Sequence, residues 1–478
     1  MVSLLSTAML AGCMVGPKYK QPIMPPPPAF KETTPTNVYT SPMWQHADPN
    51  DQATRGQWWL VFDDSQLNQL ENELSLQNQD LKVAEARLRQ ARAAIRFSRA
   101  AQNPTIGTVP NIGAGRFSAN QPYSNPALVN NGEGVFNLPL EFSYEVDLWG
   151  RIRRTINSAK EQAQATAGDV ETAKLTLGAE LGRDYFDLRS ADLQKELLAQ
   201  TVQAYEKALH LTELRYNGGV APRADLEQAR TQLESARVQQ TDIDQMRANY
   251  EHAIAVLIGK LPEELTIASL PQYELRPPPI PLGITGTLLE RRPDVASSER
   301  RLAAASEQIG IARSAYFPTV TLGASAGLEA TSIKNWFTWP SRFWAVGPTV
   351  SETFFDGGRR KAASEDARAN YDASLAIYRQ NSLTAFQEVE DNLAVLTVLE
   401  KEGVQQRRAT AAAEKALDLF SKRYKDGVDT YLQVVTSQTA ALQNERNEIN
   451  IQQRQMEASL LLIKAVGGAW DASQLPDY

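Results

Sequence analysis

The side chains able to do covalent or acid–base chemistry are few in this 478-residue sequence, and they are poorly grouped. His46, His210 and His252 are scattered without ligand spacing, so no metal site is expected. Lys260 in IGKLPEE lacks the glycine spacing of a phosphate-cradling loop. No Ser, His and Asp set suggests a nucleophilic triad. The chain therefore reads as a non-enzyme, and no cofactor is expected. What remains is a single cysteine, Cys13, and a pair that occurs twice. Arg215-Tyr216 precedes Asn217-Gly218-Gly219, and Arg423-Tyr424 precedes Lys425-Asp426-Gly427. Guanidinium forks grip carboxylates or carbonyls, and tyrosine adds a directional donor. The chemistry on offer is holding, not reacting.

Those pairs recur because much of the chain recurs. The run from Asp80 to Ile106 matches the run from Asp294 to Val320 without a gap, and identities include Glu85/Glu299, Arg87/Arg301 and Pro104/Pro318. EKALHLTELRYNGGV, from Glu206, then matches EKALDLFSKRYKDGV, from Glu414. A period of about 210 residues exceeds any helical-hairpin repeat, so each copy is a substructure of several elements. Two like copies point toward a ring or tube.

Cys13 ends the short apolar segment MVSLLSTAMLAGC. Leu10-Ala11-Gly12-Cys13 resembles a lipobox, in which cleavage leaves the cysteine as a lipidated N-terminus. Residues 1–12 then read as a signal peptide, although no Lys or Arg precedes Cys13. Met14 follows where an Asp would favour inner-membrane retention, so outer-membrane delivery is expected. A Pro-rich linker comes next, with Pro17, Pro22 and Pro25 to Pro28. The net charge is -7, without a basic patch, which argues against a nucleic-acid partner. No apolar run approaches the ~20 residues of a membrane helix.

Three kinds of element must position these residues. Apolar and small residues at helical spacing predict one helix from Leu67 to about Ala101, ended by Pro104. Period-two alternation predicts strands over 105–118 and 135–148, and again in TVTLGASAGLEAT and AVGPTVSETFF. The loop SIKNWFTWPSRFW between the latter two carries aromatics suited to a membrane interface. Glycines at Gly150 and Gly357-Gly358 are expected to relieve crowding where strand turns into helix. Long helices follow from Arg151 to about Tyr216 and from Arg359 to Tyr424, each turning back into a shorter one, about Asp225 to Ile258 and Leu432 to Val466. The chain divides into an arm over 13–60, a first repeat over 61–270 and a second over 271–478. Two shorter helices laid end to end match one long helix, giving a rod of about 100 Å. Four strands per chain cannot close a membrane barrel, whereas three chains with ~12 strands can.

CMVGPKY, WWLVFDDSQLNQL, YEVDLWGRIRR, LLERRPDVASSERRL, FFDGGRR and RYKDGVDTYLQVVTSQ resemble the TolC-like outer-membrane factors, in their lipoprotein (OprM/NodT-type) branch. The resemblance spans nearly the whole chain. It implies a mainly α fold with a membrane β-barrel: a homotrimer with a 12-stranded barrel continued by a 12-helix periplasmic tunnel. It also implies a passive exit duct in the outer membrane of a Gram-negative bacterium, for drugs or other small molecules. An inner-membrane pump would drive it through a periplasmic adaptor, and outer-membrane lipid would surround it. Arg215, Tyr216, Asp225, Arg423, Tyr424, Asp429 and Leu432 match the residues that close the family's periplasmic iris. Many relatives carry an Asp one turn beyond Leu432, but this chain has Thr436 there. A structural coiled-coil lipoprotein without transport would explain the helices and lipobox, and would leave the two hairpins unexplained.

Overall fold

A computed structural model describes residues 14–25, 27, 29–32, 44–46, 57–116, 118, 132–278, 280–282, 291–468, 470 and 472–478. Cys13 lies outside them. A short strand, β1 (Trp44–His46), precedes the first copy. That copy runs through α1 (Ser65–Gln77), α2 (Gln79–Ala100), β2 (Thr105–Gly107), β3 (Asn111–Gly115), β4 (Glu133–Val146), α3 (Arg151–Asn217) and α4 (Arg223–Leu257). Strand β5 (Ile280–Leu282) then pairs in parallel with β1. The second copy is α5 (Pro293–Ser314), β6 (Thr319–Ala330), β7 (Arg342–Ser351), α6 (Arg359–Lys425) and α7 (Tyr431–Ala465). Matched helices are equal in length: 22 residues in α2 and α5, 67 in α3 and α6, 35 in α4 and α7.

At ~1.5 Å per residue α3 and α6 are each about 100 Å long. Their length follows from absent breakers and a continuous small or apolar stripe. In α3 the stripe includes Ala163, Val170, Leu181, Leu188 and Leu198, all buried. Shorter helices lie along the long ones, α2 and α4 on α3, α5 and α7 on α6, and α5 and α7 also pack on α3.

The expected single helix over 67–101 is two helices, and Asn78 is the reason. Its Oδ1 caps α2 by accepting from Leu81 N at 2.8 Å, while its Nδ2 donates to Leu257 O, at the end of α4, at 2.8 Å. An N-cap bond satisfies a helix-end donor and so starts a new helix here. The second bond ties that break to the end of α4, so the shorter helices meet at mid-height.

The main core lies at the same level. Leu67, Leu74, Tyr185, Phe186, Leu399 and Leu460 are among its buried members. Asp64 caps α1 through Gln66 N and Leu67 N, and accepts from the hydroxyls of Tyr185 (2.7 Å) and Tyr273 (2.9 Å). Beside it, Arg189 and Asp192 form a fully buried pair at 3.0 Å. Burial alone would raise the Asp192 carboxyl, but bonds from Arg247, Leu270 N, Ser269 and Arg189 hold it below the usual range. This knot pins the segment after α4 to α3.

The described residues near the start of the N-terminal arm, 14–25, 27 and 29–32, pack against the helices. Val15 N donates to Trp149 O (3.1 Å), Tyr19 joins Glu299, and Phe30 is buried in the core. It runs from the strand–helix junction down the groove between α5 and α6. The C-terminal tail climbs the matching groove between α2 and α3, where Pro476 O accepts from Gln164 and Tyr478 from Arg92.

At the core's edge Asp187 is pushed up to about 6, first by burial and then by its neighbours Glu457 and Asp184, against the bond from Gln453. A raised carboxylate makes the folded state bind the extra proton, so stability falls as pH rises between the unfolded value and about 6. Asp187→Asn keeps an acceptor for Gln453 and removes the charge. Its melting temperature is expected to exceed the parent's at pH 7 and to match it near pH 4. An equal shift at both pH values would contradict this.

Candidate functional site

Two regions carry the functional geometry, a sheet at one end of the rod and a pair of turns at the other. The sheet is an antiparallel meander in which β2 and β3 both pair with β4, β4 with β6, and β6 with β7. Residues directly opposite one another share a face, and faces alternate along each strand. Phe142 faces Ile106 and Ala324, Tyr144 faces Leu322, and Val346 faces Ala324. The same face carries Phe136, Leu138, Leu140, Val320 and Val350. The other face carries Thr105 opposite Ser143, Glu141 opposite Ser325, Glu145 opposite Thr321, and Thr321 opposite Thr349. One side is thus apolar over most of the strand length, with Arg342 at its edge, and the other is mostly polar and small, with Val135, Pro139 and Phe343 as exceptions.

Aromatic rings mark both ends. At one, Trp336 is buried against Phe136 (centroids 5.5 Å apart), and Phe337, Trp339 and Trp344 are exposed. At the other, Trp149 stacks on Phe317 at 4.7 Å, and Phe354 and Phe355 are exposed. If extended throughout, the ten residue steps from Trp344 to Phe354 would span roughly 33 Å, comparable with a bilayer's hydrocarbon core.

Two boundaries differ from the sequence reading. The return strand begins at Arg342 and ends at Ser351, not 345–355, so Phe354 and Phe355 lie beyond it. The strand predicted over 105–118 is interrupted between Gly107 and Asn111, where Pro110 lacks an amide donor for the ladder. The glycines at the strand–helix junctions also have a different reason. Gly357 (φ 63°) and Gly358 (φ 92°) stand in open space, so left-handed backbone rather than crowding requires them. At Gly150 both apply: φ is 79°, and a Cβ would come within 2.6 Å of Met14.

At the far end the two helical hairpins turn with the same hydrogen bonds. Val220 N donates to Arg215 O (2.8 Å) and Val428 N to Arg423 O (2.9 Å), with Gly219 and Gly427 left-handed. This is the usual glycine closure of a helix C-terminus. The structure brings some of the predicted residues together. Arg215 reaches across the halves, its Nη1 donating to Tyr424 O at 2.7 Å and its guanidinium lying 4.5 Å from the Tyr424 ring centre. Tyr424 rests in turn on Tyr431, centroids 5.3 Å apart, above Val434 and Val435. Arg423 pairs with Asp429 inside its own turn, on an exposed surface. Asp225 sits in the first turn of α4, its carboxyl raised by burial and lowered by Arg215. Tyr216 and Leu432 are exposed and join none of these contacts, and the Thr436 hydroxyl donates to Leu432 O.

Sequence reasoning missed Tyr431 and the ties between hairpins, Gln232 to Thr439 (3.1 Å) and Arg446 to Gln239 (2.9 Å). These join residues 207 apart, about the repeat period, and the repeat was the one signal that could have paired them. Among the described residues no group of His, Cys, Asp or Glu is placed to hold a metal, and no helix is long and apolar enough to cross a membrane.

The model of the outer membrane efflux protein family matches residues 70–260 and 285–468. The chain is 29% identical over 435 residues to the pyoverdine export outer membrane protein OpmQ of Pseudomonas aeruginosa, covering 90% of this chain and 91% of that one. It is 30% identical to the solvent efflux pump outer membrane protein SrpC of Pseudomonas putida, over 98% of this chain and 97% of that one. The solved outer-membrane channel OprN superposes with a TM-score of 0.85 at 28% identity, over 96% of this chain and all of that one.

Arg215 and Tyr424 are expected to couple. In a double-mutant cycle of Arg215→Met and Tyr424→Leu, a coupling of about 0.5–1 kcal/mol is expected from the cation–π contact alone, because the bond to the Tyr424 carbonyl survives the second substitution. Hydrogen exchange of the 423–431 amides measures it, and strict additivity would contradict the contact.

Proposed function

The chain belongs to the outer membrane efflux protein family and serves as the outer-membrane channel of an efflux system, and from that premise we propose that three copies close one continuous duct. The register of the sheet carries this reading. Its apolar face suits lipid, its polar face suits a water-filled lumen, and its outer strands β2, β3 and β7 leave unpaired edges. Open edges are not tolerated in lipid, so other copies must supply the next strands. Three chains give a ~12-stranded barrel, within the range of such barrels. The long helices then continue the lumen as a tunnel of twelve helices.

A lipid anchor at Cys13 fits the path of the arm. Val15, two residues on, is bonded to Trp149 O at the base of the sheet, which favours an anchor at that level. The other end, with Val220 and Val428 at its apex, is where an adaptor joins the duct to an inner-membrane pump. Amphipathic antibiotics or solvents chosen by the pump are the proposed cargo.

The tip residues form the gate. Arg215 and Tyr424 hold the two hairpins of one chain together, with Asp225 nearby to balance Arg215. Arg423 and Asp429 close the second turn on an exposed surface, where one ion pair is weak and another protein can displace it. Tyr216 and Leu432 are free to meet neighbouring copies and narrow the opening. In planar bilayers the purified protein is expected to conduct. Arg423→Ser with Asp429→Ser is expected to raise single-channel conductance several-fold. Conduction unchanged by the pair would remove these residues from the gate, and no conduction by either protein would defeat the duct.

A further inference from the structure

The buried face of α1 carries one charge. Leu67, Leu70 and Leu74 enter the main core at helical spacing, and Glu71 is buried among them at 1% exposure. Its Oε1 has no hydrogen-bond partner among the described residues. The other buried acids among those residues are answered: Asp192 by Arg189 and Arg247, Glu299 by Tyr19 and Arg300, and Asp184 by Arg183. A carboxyl without water or a counter-charge is costly, and burial pushes Glu71 well above the usual carboxylate range. An apolar side chain would serve the core better here. The acid therefore points to a partner that the described residues do not supply.

Glu71 lines a cleft of about 340 Å³ where α1, α2, α3 and the segment after α7 meet. That volume falls within the range of small-molecule sites. Trp58, Trp59, Trp470 and Leu175 give the cleft an apolar wall. Gly178 holds its floor open. A Cβ there would stand 2.9 Å from Glu71 Oε2 and 3.3 Å from Trp58 Cζ2, so the carboxyl and an indole edge reach the same point. The remaining charges on the wall are Glu85, Glu171 and Lys174, and Lys174 is held by Glu171 at 2.8 Å. Three acids against one base make the wall negative, and the base is already taken.

We propose that this cleft binds a small organic cation, a tertiary ammonium whose single N–H meets Glu71 and whose alkyl arms lie against Trp58, Trp59 and Trp470. The wall selects this class. One orphaned acceptor asks for one donor. Indole rings attract alkylammonium groups through apolar contact and through the charge itself. A metal ion would need several ligating groups together, and no such group occurs among the described residues. The bound cation neutralises Glu71 within the core, so it stabilises the folded chain by mass action. The site is separate from the sheet and the turns, and it goes beyond the duct reading without depending on it.

The probe is triethylammonium chloride, titrated into the full-length protein in non-ionic detergent at neutral pH, with sodium chloride at equal ionic strength as the reference. Three of the eight tryptophans line the cleft, so a saturable change in tryptophan emission is expected, together with a rise in melting temperature. Glu71→Gln keeps the shape and removes the charge. It is expected to weaken binding by about tenfold or more and to conduct in planar bilayers as the parent does. Lys174→Met, on the exposed rim, removes the one competing cation and is expected to bind equally well or more tightly. This arm decides independently of how Glu71→Gln folds. No saturable change in the parent, equal binding by Glu71→Gln, or weaker binding by Lys174→Met overturns the proposal. Each of these results leaves the duct standing, because conduction is read separately.

Discussion

A backbone amide or carbonyl in lipid has no water to bond, and that requirement governs the whole molecule. The sheet is four strands wide, with β2 and β3 sharing one edge position beside β4, and it satisfies its inner strands and leaves two open edges. One chain is therefore an incomplete object by construction. The remedy is more copies of the same sheet, and everything below the sheet must be compatible with closing a ring. This explains why the chain is built twice. Each copy supplies one hairpin and one long helix, so few chains complete a wide barrel.

The helices inherit the ring from the strands. α3 starts five residues after β4 ends, and α6 starts eight residues after β7 ends, each through a left-handed glycine. Helix direction is thus set at the membrane and kept for about 100 Å. The knot of Arg189, Asp192 and Arg247 and the cap at Asn78 brace the rod at mid-height. The bracing is strong there, with fully buried charges, and weak at the tip, where the Arg423–Asp429 pair is exposed. That gradient fits the gate proposed at the far end.

Much of this was legible in residues alone. Alternation along β4 and β6 identified the strands because only one face can meet lipid. Long runs without proline marked α3 and α6 to within a residue or two, and Gly219 and Gly427 marked their ends. The break at Asn78 was not legible, since the apolar stripe continues through it and a bond to Leu257 O, 179 residues away, decides it. Nor was the burial of Phe30, which depends on a groove built from the second copy. At the tip the residue types were readable, but the bond from Arg215 to Tyr424 joins positions 209 apart. Tyr216 and Leu432 were expected beside them in the iris, and within one chain both are exposed.

The central claim is that one face of the sheet meets lipid and the other meets water. It is tested most directly by nitroxide side chains placed singly along β7 in reconstituted vesicles. Labels at Trp344, Val346 and Val350 are expected to collide freely with dissolved oxygen and hardly with a water-soluble nickel chelate. Labels at Ala345, Thr349 and Ser351 are expected to show the reverse. A two-residue oscillation of opposite phase for the two probes is the predicted result, and a flat profile, or equal exposure of every position to the chelate, would contradict it.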